Sequence, residues 1–304
     1  MLDSDVSLLV SRLLGTRIAE AQPVPMGYGN ETWRVAASGG ERYTVKFGPL
    51  ASEPKWRSAH RALELAGAAG VPVARLVCSG HHADRVVRVF DWIEGRTPTS
   101  AVLGDDAVRR LFSGLGSAVR ALHEIELGAF SSRLDGSAQS FARWPDYIRY
   151  RLSAIRARCL ATRALDEHAL DRVCEVIGEL AAEVGDAARP TLCHRDLHAD
   201  NLLVDPTGRL VAILDFDMAE AWDCAGESFK LDRFLFPAFP GAQRWFDAAY
   251  RGGRPRPSYW DERVRLVALI EALNALPNAI ANGWNETTYG ADARRWLHAL
   301  LDPS

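Results

Sequence analysis

The sequence predicts an α+β protein of two lobes, a small N-terminal antiparallel β lobe with one helix over residues 1–91 and a larger, mainly helical lobe over 92–304. Three observations predict this. Short β-type runs dominate before residue 92, helical periodicity dominates after residue 95, and a single stretch, 191–215, interrupts the helical part with two apolar runs around a polar turn. With 304 residues, 48% hydrophobic and 25% charged, the chain is long enough for a substantial core.

In chain order, the runs at 31–37 (ETWRVAA) and 42–47 (RYTVKF) alternate apolar and polar residues around the turn Ser38-Gly39-Gly40, which predicts a hairpin. Gly27-Tyr28-Gly29-Asn30 precedes it. Residues 53–69 are helical in composition and stop at Gly70, ahead of Pro72. The runs at 75–79 and 85–92 complete the lobe as strands. Beyond them, apolar residues at helical spacing predict helices over 105–126, 144–161, 167–184 and 262–282. The GGRPRP piece at 252–257 reads as an exposed loop.

Several classes are excluded or disfavoured. A formal net charge of −3 leaves no basic footprint for nucleic acid. The five cysteines are odd in number and form no CxxC pair, which argues against a disulfide framework or a structural zinc site. The N-terminus carries acids before its apolar run and has no basic segment of the signal-peptide kind. No run approaches the ~18 apolar residues of a membrane span, so the expected location is the cytoplasm, with no membrane partner. Lysine occurs only at positions 46, 55 and 230, which makes each one conspicuous among the arginines.

The chemistry concentrates between His194 and Asp217. His194-Arg195-Asp196-Leu197-His198-Ala199-Asp200-Asn201 leads into an apolar run, the turn Asp205-Pro206-Thr207-Gly208, a second apolar run and Asp215-Phe216-Asp217. Pro at the second and Gly at the fourth turn position suit a type I turn, so the flanking runs pair as a hairpin. That brings Asn201 beside Asp215, where their oxygens suit a hard divalent cation. Asp196 then stands on the preceding loop, placed to meet an incoming hydroxyl. His194 and His198 are four apart, as in H-E-x-x-H zinc sites, but Arg195 replaces the glutamate and the context is a loop.

This spacing, H-x-D-x-x-x-x-N followed by an apolar hairpin and D-F-D, resembles the aminoglycoside phosphotransferase and choline kinase-like family, within the protein-kinase-like fold. The resemblance implies that Asp196 orients or deprotonates the acceptor, that His194 braces the loop, and that Asn201, Asp215 and Asp217 hold Mg2+. It implies that Lys46, in the strand Tyr43-Thr44-Val45-Lys46-Phe47, holds the nucleotide phosphates, that Gly27, Gly29 and Asn30 form a glycine loop over them, and that Phe90, Trp92 and Ile93 line the adenine site. The lysine-pairing glutamate departs from the family pattern. Its slot falls near Ala59-His60, leaving Glu53 and Glu64 as candidates. Arg195 stands where a small residue is common, and no activation segment ending in A-P-E follows.

Downstream, Asp217, Glu220, Asp223, Glu227 and Asp232 outnumber Lys230 and Arg233, an acidic excess that favours a cationic acceptor. Asp223, Glu227 and Glu271 are the candidate acceptor contacts, with structural roles open for Asp223 and Glu227. The expected activity is an ATP- or GTP-dependent O-phosphotransferase acting on a small cationic molecule, of the antibiotic-inactivating kind (aminoglycoside or basic peptide). Alternatives are a metabolic kinase for choline, homoserine or a sugar, and an inactive nucleotide-binding module. The partners implied are a nucleoside triphosphate and a small hydroxyl compound, for a monomer or dimer.

Overall fold

The protein's structure, a computed structural model, describes residues 3–24, 31–99, 103–284 and 287–301. Its N-terminal lobe comprises helix α1 (Asp3–Leu14), strands β1 (Ile18–Val24), β2 (Glu31–Ala37) and β3 (Arg42–Pro49), helix α2 (Glu53–Ala68), and strands β4 (Leu76–His82) and β5 (Arg85–Asp91). The strands form one antiparallel sheet in the order β1-β2-β3-β5-β4. Alternation sets the buried face: Trp33 and Val35 of β2, Val45 and Phe47 of β3, and Val87 and Val89 of β5 pack against Val6, Leu9 and Val10 of α1. Thus α1 is a second helix of this lobe, beyond the one expected. Its apolar residues recur at helical spacing and cover the sheet.

The other helix, α2, is not part of that core. Its Ala62 and Ala66 pack with the C-terminal lobe, among Leu111, Leu115, Leu202 and Ile213. One helix of the small lobe therefore sits on the floor of the large one.

The C-terminal lobe contains α3 (Asp105–His123), β6 (Phe130–Ser131), β7 (Ser140–Phe141), α4 (Trp144–Thr162), α5 (Glu167–Val184), β8 (Thr191–Cys193), β9 (Leu202–Val204), β10 (Leu210–Ile213), β11 (Glu220–Trp222), α6 (Ser228–Lys230), α7 (Phe236–Ala238), α8 (Gln243–Arg251), α9 (Trp260–Ala281) and α10 (Thr288–Leu301). A π-helical turn, Leu231–Leu235, continues α6. Leu152 and Ile155 of α4, Leu170 and Ile177 of α5, and Leu266, Leu269 and Leu273 of α9 share a second core. In keeping with the run-length reading, the apolar stretch of α9 is broken by Glu271 and Asn274, although by length and mean hydropathy the helix could span a membrane. Its apolarity has a different use here, as 61% of that stretch is buried inside the fold.

The hairpin β9–β10 forms as expected, with Leu202 opposite Ile213. Asp205 organises the turn. Its carbonyl accepts from Gly208 N–H, and its carboxylate accepts from the N–H groups of Thr207 and Arg209. Gly208 is required twice, because φ is +83° and a Cβ there would lie 2.4 Å from that of Ala107. The segment after β5 lies on this hairpin: Arg96 exchanges two backbone hydrogen bonds with Val204, at 3.0 and 2.9 Å. At Gly95 a Cβ would come within 3.0 Å of Leu203 and Val211, so the segment joining the lobes passes too close for a side chain.

Candidate active site

The loop from His194 to Asn201 and the hairpin bring four predicted residues, His194, Asp196, Asn201 and Asp215, to one place. Leu214 N–H donates to the Asn201 carbonyl at 2.8 Å, closing the hairpin's open end and setting Asn201 beside Asp215. Asn201 turns its amide nitrogen back to the loop, donating to Asp196 O at 2.9 Å and Oδ2 at 3.3 Å. Its own carbonyl oxygen is thereby directed away from Asp196. Asp215 adopts the left-handed region, with φ of 62°, a strained conformation for a residue other than glycine.

His194 locks this arrangement from within. It is fully buried, its Nδ1 accepts from Asp196 N–H at 3.2 Å, and its Nε2 lies 2.8 Å from the Leu214 carbonyl. With Nδ1 accepting, the ring proton sits on Nε2 and is donated to that carbonyl. The ring also stands edge-on to Phe216, with centroids 4.5 Å apart. One imidazole thus ties the loop to the segment carrying Asp215.

Two cations reach down from the small lobe. Lys46 of β3 and Arg88 of β5 are direct cross-strand partners and so lie on the same face of the sheet. Lys46 Nζ is 3.6 Å from Asp215 Oδ2, while Arg88 donates to both oxygens of Asp217 at 3.0 and 3.3 Å. Neither candidate glutamate pairs with Lys46: Glu53 bonds Arg57 and His81, and Glu64 bonds His60 and Arg61. Instead of a glutamate, α2 presents Trp56, whose ring lies 3.7 Å beneath the Arg88 guanidinium.

The electrostatics follow from these contacts. Burial pushes Asp196 up, but His198 and the Lys230 ammonium, 3.0 Å from Oδ1, outweigh it and hold the carboxyl well below its ordinary range. Burial likewise opposes ionisation of Asp215, and the Lys46 and Arg88 cations reverse the effect. Both carboxylates are therefore charged at neutral pH. Asp215 Oδ1 is buried without a hydrogen-bond partner. A bare carboxylate oxygen on Asp215 and the amide oxygen of Asn201, at the adjoining end of the hairpin, are the kind of donors a hard cation such as Mg2+ takes, and the residues present fit that ion.

Other predicted residues are engaged elsewhere. Asp217, expected among the metal ligands, is committed to Arg88 in a pair whose side chains are only 8% and 4% exposed. Asp223 is buried against Arg263 and caps the following turn at Ala225 N–H. Glu227 is also buried, accepting the backbone N–H groups of His194 at 2.5 Å and Arg195 at 2.9 Å. Glu271 binds the Arg195 guanidinium, which lies 3.8 Å over the Trp222 ring and also faces Glu220 at 3.7 Å. All three expected acceptor contacts thus have partners inside the fold, and Arg195 joins its loop to α9. With Asp217, Glu220, Asp223 and Glu227 all matched, the acidic excess seen in sequence is largely neutralised inside the fold.

Phe90 is buried in β5, Ile93 is half-buried, and the Trp92 ring lies under Arg34 at 5.8 Å with its indole N–H on Glu94. Gly27, Gly29 and Asn30 lie outside the described residues. Sequence reasoning missed Lys230 and Arg88. The available signal for Lys230 was its rarity, as one of three lysines.

A family model described as the phosphotransferase enzyme family matches residues 20–225. No curated protein matches the chain. Among solved structures, a protein described as a fructosamine-3-kinase from Thermobifida fusca is 20% identical, with a TM-score of 0.73 over 97% of this chain and 98% of its own. Aminoglycoside phosphotransferase APH(4)-Ia is 15% identical, with a TM-score of 0.74 over 98% and 97%. Spectinomycin phosphotransferase APH(9)-Ia, solved with ADP and spectinomycin, is 13% identical, with a TM-score of 0.65 over 100% and 95%. At these identities the likeness to solved structures establishes the shared kinase-like fold.

Proposed function

The chain belongs to the phosphotransferase enzyme family and is a small-molecule kinase, and from that premise we propose that it transfers the γ-phosphoryl group of ATP or GTP, with Mg2+, to a hydroxyl of a small amine-bearing molecule. One observation carries the reading. Asp196 is held ionised by Lys230 and His198 and is hydrogen-bonded to Asn201, beside a second carboxylate, Asp215, that keeps a buried oxygen free.

In this reading Asp196 accepts the hydrogen bond of the acceptor hydroxyl and fixes the direction of attack. Held so far below its ordinary range it is a weak base, which suits a loose transition state in which the proton leaves late. Lys46 holds the nucleotide phosphates from the sheet, while Lys230 neutralises charge on the acceptor side. Asn201 Oδ1 and Asp215 Oδ1 would hold Mg2+, which would supply charge neutralisation for the phosphate oxygens. By their sequence pattern Gly27, Gly29 and Asn30 are assigned to the phosphates, and Phe90, Trp92 and Ile93 to the base. Asp217 keeps the two lobes in register through Arg88.

The acceptor class rests on the neighbours. Aminoglycosides and fructosamines, which their names specify, are both sugar amines, and this shared chemistry favours a cationic hydroxyl compound. We propose antibiotic inactivation as the first assignment and a metabolic sugar-amine kinase as the second. A coupled ADP-release screen, with Mg2+, across aminoglycosides, basic peptide antibiotics, fructosamines, choline and homoserine tests both. Stimulation by an amine-bearing compound, with its phosphorylated product seen by mass spectrometry, is the expected result. No stimulation across the panel would remove the acceptor assignment.

A further inference from the structure

Behind the catalytic loop, three side chains of different chemistry converge on one point. His123 ends α3, Cys193 ends β8 immediately before the loop, and Glu227 stands just ahead of α6. His123 Nε2 lies 3.6 Å from Cys193 Sγ and 3.7 Å from Glu227 Oε1, and the three ligand atoms are all within 4.8 Å of one another. The nitrogen-to-oxygen separation is too long for an N–H···O hydrogen bond. It is close to a tetrahedral edge: bonds of about 2.0–2.1 Å to nitrogen, 2.3 Å to sulfur and 2.0–2.2 Å to oxygen give edges of roughly 3.4–3.6 Å.

The surroundings are those of a built site. His123 Nδ1 is 2.8 Å from the Tyr250 hydroxyl, a contact that fixes the ring and points Nε2 at the other two ligands. Glu227 is anchored by the N–H groups of His194 and Arg195, which leaves one lone pair on Oε1 toward the gap. A cavity of about 160 Å³ is lined by His123, Glu227, Cys224 and Tyr250, and it reaches Arg256 and Asp261, whose side chains are 58% and 91% exposed. An ion therefore has an entrance on the His123 and Glu227 side of the cluster, with the fully buried Cys193 Sγ behind them, 3.2 Å from the Asp223 carbonyl.

We propose that His123, Cys193 and Glu227 bind a borderline-soft divalent cation of the zinc type, at a site separate from the phosphoryl-transfer centre. A nitrogen, sulfur and oxygen set selects against Mg2+ and Ca2+, which take oxygen ligands. Thiolate and carboxylate together match the ion's charge. On binding, the Cys193 S–H bond breaks, a sulfur–metal bond forms and the proton leaves to solvent, while water from the cavity completes the fourth position. Because Glu227 also holds the N–H groups of His194 and Arg195, the cation shares a ligand with the support of the catalytic loop.

The test needs no turnover, so it stands or falls independently of the phosphotransferase assignment. The full-length protein, stripped with chelator, is titrated with Co2+ while the thiolate-to-cobalt charge-transfer band is recorded. The band is expected to saturate at one ion per chain in the wild type and in Cys159→Ser, and to vanish in Cys193→Ser. Its absence from the wild type, or its persistence in Cys193→Ser, overturns the proposal. If Cys193→Ser fails to give a native circular dichroism spectrum, Tyr250→Phe is used instead. Loss of the bond that orients His123 is expected to weaken Co2+ affinity about 10-fold, and an unchanged affinity overturns the site.

Discussion

The buried pair between Arg88 and Asp217 gives a quantitative test of how the lobes are joined. Arg88→Met removes the cation from a contact in which both side chains are nearly inaccessible, and strands the Asp217 carboxylate in the interior. Breaking a buried pair on one side costs about 3–5 kcal/mol. In a chain of this size that corresponds to a fall in Tm on the order of 10 °C. The Met side chain retains part of the packing on Trp56, so the loss reports charge rather than volume. The double variant Arg88→Met/Asp217→Leu removes both charges and is expected to recover more than half of the loss. Thermal and urea melts of the wild type, Arg88→Met, Asp217→Leu and the double variant, followed by circular dichroism, give the coupling energy. If Arg88→Met melts with the wild type, or the double variant is as unstable as the sum of the singles, the clasp does not hold the lobes as described.

Four further outcomes are expected. Asp196→Ala raises the barrier by roughly 3–5 kcal/mol while nucleotide affinity, measured by calorimetry, changes little. Lys230→Ala lowers kcat by about 10²-fold, and the acid limb of its pH–rate profile moves to higher pH, because the ammonium that favours ionised Asp196 is gone. Arg263→Ala strands buried Asp223 and destabilises the fold by about 3–5 kcal/mol in urea melts. Gly208→Ala costs roughly 1–3 kcal/mol in the same melts, from positive φ and the clash with Ala107.

Much of the fold was legible because local rules governed it. Strand β2 and helix α5 have the bounds their alternation and periodicity predict, and the 205–208 turn closes the hairpin as its proline and glycine require. Strand β1 was missed because only Ala21 of its seven residues is buried and Pro23 interrupts it, so it lacks an alternating pattern. Helix α1 hid in a segment weighed only as a leader peptide.

The site divides in the same way. Asp196, Asn201 and Asp215 share a short stretch whose geometry a hairpin dictates. Arg88 meets Asp217 across 129 positions, and no local pattern reports such a contact. The acidic run after Asp215 misled for this reason. Its neutralising arginines, Arg88, Arg151, Arg195 and Arg263, come from four other segments. Charge counted along the chain was cancelled in space.

The central claim is that Asp196, with Lys46, Asn201 and Asp215, directs phosphoryl transfer to a small acceptor. The most direct measurement is single-turnover transfer from γ-labelled ATP to an acceptor identified by the ADP-release screen, with Mg2+, comparing the wild type with Asp196→Asn at matched nucleotide occupancy. The account predicts labelled acceptor from the wild type, and from the variant a rate lower by at least about 10²-fold with unchanged nucleotide affinity. Equal rates from the two proteins would contradict it.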